Sequence, residues 1–352
     1  MSAPTPPRDA DRPEASLDRR AVLRNASMLF AGAALAQSFG DAQAQRAAGR
    51  DADAPGGAPP SADAETGAAP PIPGFTPYDI ETSGGVTIHA VKGGDGPPLL
   101  LLHGAPLTHY TWREIAPRLA EDYTVVAADL RGYGDSSKPQ GLPDHSNYSK
   151  RAMAQDQIDV MRHFGFERFA LVGQDRGGRV GHRMALDHPD AVTKAVFIDI
   201  VPTYYLYTHV NLDFVQAYYH WFSYLRPAPI PENELLERNA ERARSGRPLP
   251  PAMAEYQRTN GTPEGVHGMC EDYRAGASID LVHDEADIDE RIRCPLHVLW
   301  AEGGAMDRLY DVLAIWRERG TNVTGRPMPG GHNMQEGAPD EVLAELQRFL
   351  RS

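Results

Sequence analysis

The sequence is organised around the stretch Leu171-Val172-Gly173-Gln174-Asp175-Arg176-Gly177-Gly178-Arg179. The apolar run 169–172 predicts a buried strand, and residues 179–186 predict a helix. Gly173 and Gly177 each lie two positions from the aspartate between them, so a tight turn is expected to present that one side chain. Such a turn leaves no space for Cβ atoms beside it, which accounts for the two glycines. The sequence therefore predicts that the aspartate projects alone from a strand-to-helix turn.

The rest of the chain alternates short apolar runs with amphipathic helical patterns from about residue 75 onwards. This alternation predicts a mostly parallel, doubly wound α/β sheet, and the glycine-bracketed turn resembles the nucleophile elbow of the α/β-hydrolase fold. Between residues 202 and 292 the pattern breaks, and tyrosine, proline and charged residues dominate. Because this segment follows the sixth predicted strand, we expect residues 202–292 to form a helical cap over the carboxyl edge of the sheet. Residues 74–201 and 293–352 would form the core.

The individual elements follow from hydrophobic periodicity. Strands are predicted at 75–83, 86–91, 98–102, 123–128, 169–172, 192–200, 295–300 and 323–328. Helices are predicted at 111–119, 149–164, 179–186, 212–222, 232–245, 308–317 and 339–351.

The first 44 residues have the layout of an export signal. The pair Arg19-Arg20 precedes an apolar run at 26–36 that is too short to span a bilayer. Ala42-Gln43-Ala44 then matches the small-residue pattern of a cleavage site. We interpret residues 1–44 as a twin-arginine-type signal, which implies a periplasmic protein without a membrane anchor in its mature form. Residues 45–73, rich in Ala, Gly, Pro and Asp, are predicted to be a disordered linker.

Composition narrows the function classes. Of 352 residues, 41% are hydrophobic and 24% are charged, as in a soluble globular protein. The net charge of −13 argues against nucleic acid as a partner, and it means that an anionic substrate needs a local cationic site. Two cysteines, with no histidine spacing typical of a metal site, argue against a disulfide scaffold and a zinc centre.

His332 and Asp199 are the candidate partners of Asp175. His332 stands in the loop Gly330-Gly331-His332-Asn333 after the last predicted strand, and Asp199 closes an apolar strand at the same edge of the sheet. The order nucleophile, acid, histidine along the chain is that of α/β-hydrolases. An alternative place for the acid is the loop after the strand 295–300, where Asp307 lies farther along and could instead cap the next helix.

An aspartate at the turn indicates chemistry other than amide or ester hydrolysis. Towards carbonyl carbon a carboxylate is a weak nucleophile and a good leaving group, but at saturated carbon it can displace a leaving group and form an alkyl ester. Water deprotonated by His332 would then hydrolyse the ester, with Asp199 stabilising the imidazolium. The backbone N–H groups of Ala105 and Arg176 are the expected donors to the developing oxyanion. Carbon–halogen cleavage and epoxide opening both use this chemistry.

Two arginines and a group of cap residues favour the first of these reactions. Arg176 and Arg179 would share the first turn of the helix after the aspartate, where together they can bind a carboxylate. In the cap, His220, Trp221 and Tyr273 carry N–H and O–H groups that could solvate a departing halide. A small anionic haloacid is therefore the expected substrate.

Longer stretches make the resemblance more specific. From about residue 75 to its end, the chain resembles the fluoroacetate (haloacetate) dehalogenases of the α/β-hydrolase superfamily. The resemblance implies the roles given above for the aspartate, the acid, the histidine, the two arginines and the three halide-binding residues. It also implies that no cofactor is needed, and enzymes of this family often form homodimers. The matching stretches are 103–109, 175–180, 197–203, 219–221 and 269–276.

Two positions depart from that family's pattern. Gln174 replaces the histidine usual before the nucleophile, and Ala105 replaces a bulky aromatic residue. The smaller residue at 105 would enlarge the substrate pocket. The export signal is also atypical of the family.

Two other functions compete with haloacid dehalogenation. An epoxide hydrolase would use the same aspartate together with cap tyrosines, but such enzymes typically carry tryptophan after the nucleophile, where this chain has Arg176. A binding protein without catalysis is the third hypothesis, and the complete set of Asp175, Asp199 and His332 argues against it.

Overall fold

The described part of the chain, residues 71–352 of a computed structural model, contains one eight-stranded sheet. The expected signal and most of the predicted linker lie outside this range, and Ile72 is already buried against the core. The sheet order is β1-β2-β4-β3-β5-β6-β7-β8, in which β2 runs antiparallel to β1 and β4 and all other neighbours are parallel. The strands are β1 (Phe75–Glu81), β2 (Thr87–Gly93), β3 (Pro98–Leu102), β4 (Thr124–Ala128), β5 (Phe169–Gln174), β6 (Val192–Ile198), β7 (Leu296–Ala301) and β8 (Val323–Met328).

Helices cover both faces of the sheet, as predicted for a doubly wound fold. The core helices are α1 (Ala116–Leu119), α2 (Lys150–His163), α3 (Arg176–Asp187), α10 (Ala305–Leu309), α11 (Val312–Arg319), α12 (Met334–Gly337) and α13 (Pro339–Arg351). Because side chains alternate along a strand, neighbouring residues enter opposite apolar layers. One layer holds Leu100, Leu102, Leu171 and Phe197 with residues of α2, α3 and α11, and the other holds Leu99, Leu101, Val172 and Ile198 with residues of α1 and α13.

The segment between β6 and β7 forms helices rather than strands. They are α4 (Thr203–Thr208), α5 (Leu212–Tyr224), α6 (Ile230–Arg244), α7 (Pro251–Asn260), α8 (Pro263–Gly276) and α9 (Ile279–Ala286). This insertion follows the sixth strand, at the carboxyl edge where β5 and β6 end. In parallel sheets of this kind, that edge is where ligands bind.

Two predicted helices were wrong in detail. Instead of one helix at 111–119, a 3₁₀ turn (His109–Trp112) precedes the short α1, because Pro117 has no N–H to continue a helix from the preceding turn. The helix predicted at 308–317 is divided into α10 and α11, and Asp311 caps α11 by accepting from the Ala314 N–H. The predicted bounds of β8 and α13 are those observed.

A buried ion-pair network joins the cap to the core. Lys150, the first residue of α2, pairs with Asp272 of α8 and with Asp280 of α9, the latter at 3.1 Å. The Tyr133 hydroxyl donates to Asp272 Oδ2 at 2.6 Å. All three charged side chains are buried, so each depends on its partner for compensation of its charge. The network therefore ties α8 and α9 to the core.

Replacing Lys150 by methionine (Lys150→Met) is expected to lower the free energy of unfolding by about 3–5 kcal/mol, because buried Asp280 would lose its ion-pair partner and buried Asp272 would keep only its longer contact with Arg176. Urea titration at pH 7 measures the loss. Arg118→Met is the matched control, since it breaks the exposed Arg118–Asp340 pair and should cost less than about 1 kcal/mol. Equal losses of stability in the two variants would contradict a stabilising role for the buried Lys150 network.

Within residues 71–352, no helix has the length and apolar character required to cross a membrane. The two cysteines, Cys270 and Cys294, are both free.

Candidate active site

Asp175 occupies the turn between β5 and α3, as the sequence predicts. Its backbone has φ 45° and ψ −113°, a strained conformation for a residue other than glycine. A Cβ at Gly173 would lie 2.5 Å from the Gly177 carbonyl oxygen, and one at Gly177 would lie 2.5 Å from the Leu102 carbonyl oxygen. Close backbone packing thus requires both glycines and directs the Asp175 side chain towards the carboxyl edge.

His332 lies between the two aspartates. Its Nδ1 is 2.6 Å from Asp199 Oδ2, and its Nε2 is 3.9 Å from Asp175 Oδ2. Asp199 follows β6 with φ 55°, and its other oxygen accepts from the Ala301 N–H at 2.9 Å. The short contact to Asp199 orients the imidazole so that Nε2 faces Asp175. The structure therefore brings the three predicted residues together in one constellation.

The charges in this constellation shift its pKa values in opposite directions. Burial by itself would raise the pKa of Asp175, but His332, Arg176 and Arg179 outweigh burial and hold that pKa below its ordinary value. Burial would lower the pKa of His332, but the nearby carboxylate of Asp175 and the hydrogen bond and charge of Asp199 raise it to about 10. Before any reaction, an ionised Asp175 therefore faces an imidazolium ion.

The alternative acid lies elsewhere. Asp307 Oδ1 accepts from Trp300 Nε1 at 2.8 Å, and Asp307 Oδ2 accepts from the Gly303 N–H at 2.9 Å. These bonds stabilise the loop after β7 and leave Asp199 as the carboxylate in contact with His332.

One of the two predicted oxyanion donors contacts Asp175 directly. The Ala105 N–H donates to Asp175 Oδ2 at 3.1 Å. Gly104 makes this approach possible, since a Cβ there would lie 2.6 Å from the Asp175 Cβ. For the Arg176 N–H, the described hydrogen bonds include no contact with this carboxylate.

The two predicted arginines are both buried beside Asp175 but differ in their contacts. Arg176 lies with its guanidinium carbon 3.5 Å from the Tyr273 ring centroid, and none of its nitrogens has a hydrogen-bond partner within residues 71–352. Its Nε is 3.6 Å from Asp272 Oδ2, an ion pair beyond hydrogen-bond distance. Arg179 Nη1 donates to the Val201 carbonyl and to Thr203 Oγ1, both at 3.1 Å. Arg176 is thus the freer of the two for a ligand.

The predicted halide-binding residues surround the arginines. The Trp221 ring lies 4.8 Å from the Arg176 guanidinium and 5.4 Å from the Tyr273 ring, with an interplanar angle of 81° to the latter. A kink in α5 at Tyr218 precedes His220 and Trp221 and changes the direction of the helix there. Burial and the charge of Arg176 lower the pKa of His220 to about 4, so its imidazole is neutral at pH 7.

One cluster in the cap has side chains of the types that bind metals. Within residues 71–352, one oxygen or nitrogen from each of Glu232, His267 and Glu271 lies within 4.8 Å of the others. Arg274 Nη1 donates to both carboxylates at 2.7 Å, and His267 Nε2 accepts from the Gly141 N–H at 3.1 Å. These contacts form an ion-pair network that links α6 to α8.

The sequence of the chain is similar to those of known proteins with the same kind of fold. A sequence profile of the family described as alpha/beta hydrolase fold matches residues 97–339. The chain belongs to the α/β-hydrolase family. This α/β-hydrolase is 45% identical over 278 residues to a fluoroacetate dehalogenase from Burkholderia sp., covering 76% of the chain and 91% of that protein. It is 30% identical over 292 residues to a soluble epoxide hydrolase from Corynebacterium sp. (strain C12), and this match covers 76% of the chain and 94% of that protein.

A solved structure of a provisionally assigned α/β-hydrolase from Nostoc sp. PCC 7120 is 48% identical to the chain, with a TM-score of 0.75. The match covers 78% of this chain and 98% of that one. The predicted fold and the predicted membership among haloacetate dehalogenase-like α/β-hydrolases, with epoxide hydrolases as relatives, are both confirmed.

In this α/β-hydrolase, Gln174 has contacts that sequence reasoning did not predict. The side chain is fully buried, and its Nε2 lies 3.2 Å from the His332 carbonyl oxygen and 3.3 Å from Asn333 Oδ1. The same nitrogen is 3.4 Å from His332 Nε2. Gln174 thus connects the end of β5 to the loop that carries the histidine.

Asp272 was also missed as a site residue, although it lies in the matched stretch 269–276. Its carboxylate binds Lys150 and Tyr133 and faces Arg176. It therefore compensates part of the Arg176 charge without contacting the guanidinium closely enough to occupy its donors.

Proposed function

We propose that this protein is a hydrolytic dehalogenase that cleaves the carbon–halogen bond of small 2-haloacids through an alkyl ester on Asp175. The observation that carries the proposal is the proximity of an ionised aspartate at the elbow to the buried guanidinium of Arg176, whose nitrogens have no hydrogen-bond partner within residues 71–352. A substrate with a carboxylate next to a halogenated carbon fits both groups. The similarity to a fluoroacetate dehalogenase supports this assignment.

In the first step, a carboxylate oxygen of Asp175 attacks the carbon that bears the halogen. A C–O bond forms while the carbon–halogen bond breaks, and the halide leaves with the bonding electron pair. Arg176 and Arg179 would hold the substrate carboxylate. The N–H and O–H groups of His220, Trp221 and Tyr273 would solvate the halide.

In the second step, His332 activates water. Formation of the neutral ester removes the negative charge of Asp175, which is one of the two groups that raise the pKa of His332. The imidazole can then lose its proton, take one from water and direct the hydroxide to the Asp175 carbonyl carbon. The Ala105 N–H would stabilise the oxyanion. Collapse releases the 2-hydroxyacid, restores the carboxylate and yields one proton overall.

The direct test incubates the purified protein with fluoroacetate, chloroacetate and 2-chloropropionate and measures free halide. Release from at least one substrate, with the matching 2-hydroxyacid in equal amount, is the expected result. A parallel incubation with styrene oxide examines the alternative, since an epoxide hydrolase would form the diol. Diol formation without halide release from any haloacid would replace the proposed function.

Gln174→Ala is expected to reduce kcat for halide release by about 10-fold, because the loop carrying His332 loses its buried hydrogen-bond donor. The variant Gln335→Ala serves as control, since that buried glutamine bonds Thr111 rather than His332. Initial-rate kinetics on both variants measure the effect. A loss of the same size in Gln335→Ala would show that the effect is not specific to the histidine loop.

A further inference from the structure

Tyr207 is a half-buried residue with a buried hydroxyl that the proposed mechanism does not use. It lies in α4, the first helix of the cap, and its ring is 5.9 Å from the Trp221 ring. The Tyr207 hydroxyl is buried and has no hydrogen-bond partner within residues 71–352. A buried hydroxyl without a partner is unfavourable, and such groups in native proteins call for a specific explanation.

The Tyr207 hydroxyl and the Arg176 guanidinium both lie close to Gly276. A Cβ at Gly276 in α8 would lie 3.3 Å from Arg176 Nη1 and 3.9 Å from the Tyr207 hydroxyl oxygen. Beyond the neighbouring residues of its own helix, no other atom of residues 71–352 would come within 4 Å of that Cβ. The Arg176 guanidinium, from the core, and the Tyr207 hydroxyl, from the cap, therefore approach α8 at the same glycine, and neither has a hydrogen-bond partner within residues 71–352.

The surroundings of the hydroxyl suit an anion. Burial raises the pKa of Tyr207, and the charges of Arg176, Arg179 and Lys150 offset only part of this effect, so the group remains an O–H donor at neutral pH. Asp272 also acts on the phenol and, with Asp280, pairs with Lys150, so the positive charges available to an anion here are those of Arg176 and Arg179.

We propose that Tyr207 binds the substrate carboxylate beside Gly276, its O–H donating to one carboxylate oxygen while Arg176 binds the other. The identity of the substrate rests on the proposed function, but binding of a carboxylate can be measured without turnover. The geometry assigns Tyr207 to binding rather than to bond breaking. Its loss should therefore raise KM and leave kcat nearly unchanged.

The test uses Asp175→Asn as the parent protein, because an asparagine cannot form the ester. The dissociation constant of fluoroacetate is measured by fluorine NMR in this parent and after addition of Tyr207→Phe, which removes only the hydroxyl. Binding is expected to weaken by about 10-fold or more. Tyr204→Phe is the matched control, since its hydroxyl belongs to the same helix and bonds Glu285 instead. That variant should bind fluoroacetate like the parent.

Gly276→Ala provides a second test if Tyr207→Phe lowers the melting temperature. Its methyl group would lie 3.3 Å from Arg176 Nη1 and displace the guanidinium, so it should weaken binding by a similar factor. Unchanged dissociation constants in Tyr207→Phe and Gly276→Ala, or no detectable binding to the parent, would overturn the inference. Failure of the proposed function gives a different result, namely no halide release from wild-type protein with any haloacid. Binding of acetate, which cannot react, would then test whether a carboxylate binds at this site.

Discussion

Asp175→Asn is expected to lower the rate of halide release from chloroacetate by at least about 10⁴-fold. The amide has nearly the shape of the carboxylate, so the strained turn at φ 45° and its flanking glycines can accommodate it. What disappears is the negative charge that attacks carbon. In the wild type, the lowered pKa of Asp175 keeps this charge present throughout the neutral pH range. The amide of the variant does not ionise, so no other pH should rescue it. Initial rates measured with a halide electrode provide the comparison with wild type.

Asp307→Asn is the matched control for this variant. Asp307 also lies in a loop at the carboxyl edge, but its carboxylate accepts from Trp300 and Gly303 rather than facing His332. We expect its activity to stay within about 3-fold of wild type. If Asp175→Asn retained a substantial rate while the melting temperature was unchanged, attack by Asp175 would be excluded and a direct attack by water would have to be considered.

How far the sequence could predict this site depends on whether each feature is local. The turn at Asp175 is local, because an apolar strand, two glycines and a helix pattern within a few residues specify it. Asp199 was predictable since it ends an apolar run, and strand ends meet at one edge of a parallel sheet. The helix boundaries near Pro117 and Asp311 were predicted less well, because the patterns of apolar residues there continue across backbone interruptions.

The missed residues all depend on contacts between distant segments. The Gln174 amide reaches a loop 158 residues away in the sequence, and nothing in its own neighbourhood indicates that contact. Tyr207 resembles the other cap tyrosines in sequence, and only the packing of α4 and α8 places its hydroxyl beside Arg176 and Gly276. The different contacts of Arg179, whose Nη1 bonds the Val201 carbonyl and Thr203, are likewise set by the chain that enters the cap.

His332→Gln is expected to separate the two proposed steps. Ester formation needs the charge of Asp175 and not a base, whereas ester hydrolysis needs His332 to deprotonate water. The variant should therefore release about one equivalent of halide per protein molecule and then slow by at least about 10³-fold. With chloroacetate as substrate, rapid-quench measurement of halide gives the size of this first release. Mass spectrometry of the peptide that contains Asp175 detects the trapped carboxymethyl ester. His209→Gln, an exposed histidine of the cap, is the control and should turn over normally.

The pH dependence of the wild-type reaction also distinguishes ester formation from ester hydrolysis, without any substitution. In the resting protein the two aspartates raise the pKa of His332 to about 10, so the imidazole is protonated during ester formation at neutral pH. Once the ester has removed the Asp175 charge, the pKa falls, and hydrolysis proceeds only above that lower value. Lowering the pH should therefore slow hydrolysis before it slows ester formation, and the ester should accumulate in acid-quenched wild-type protein. Loss of the first equivalent of halide in His332→Gln, or no rise in ester at low pH, would argue against a base that acts only in the second step.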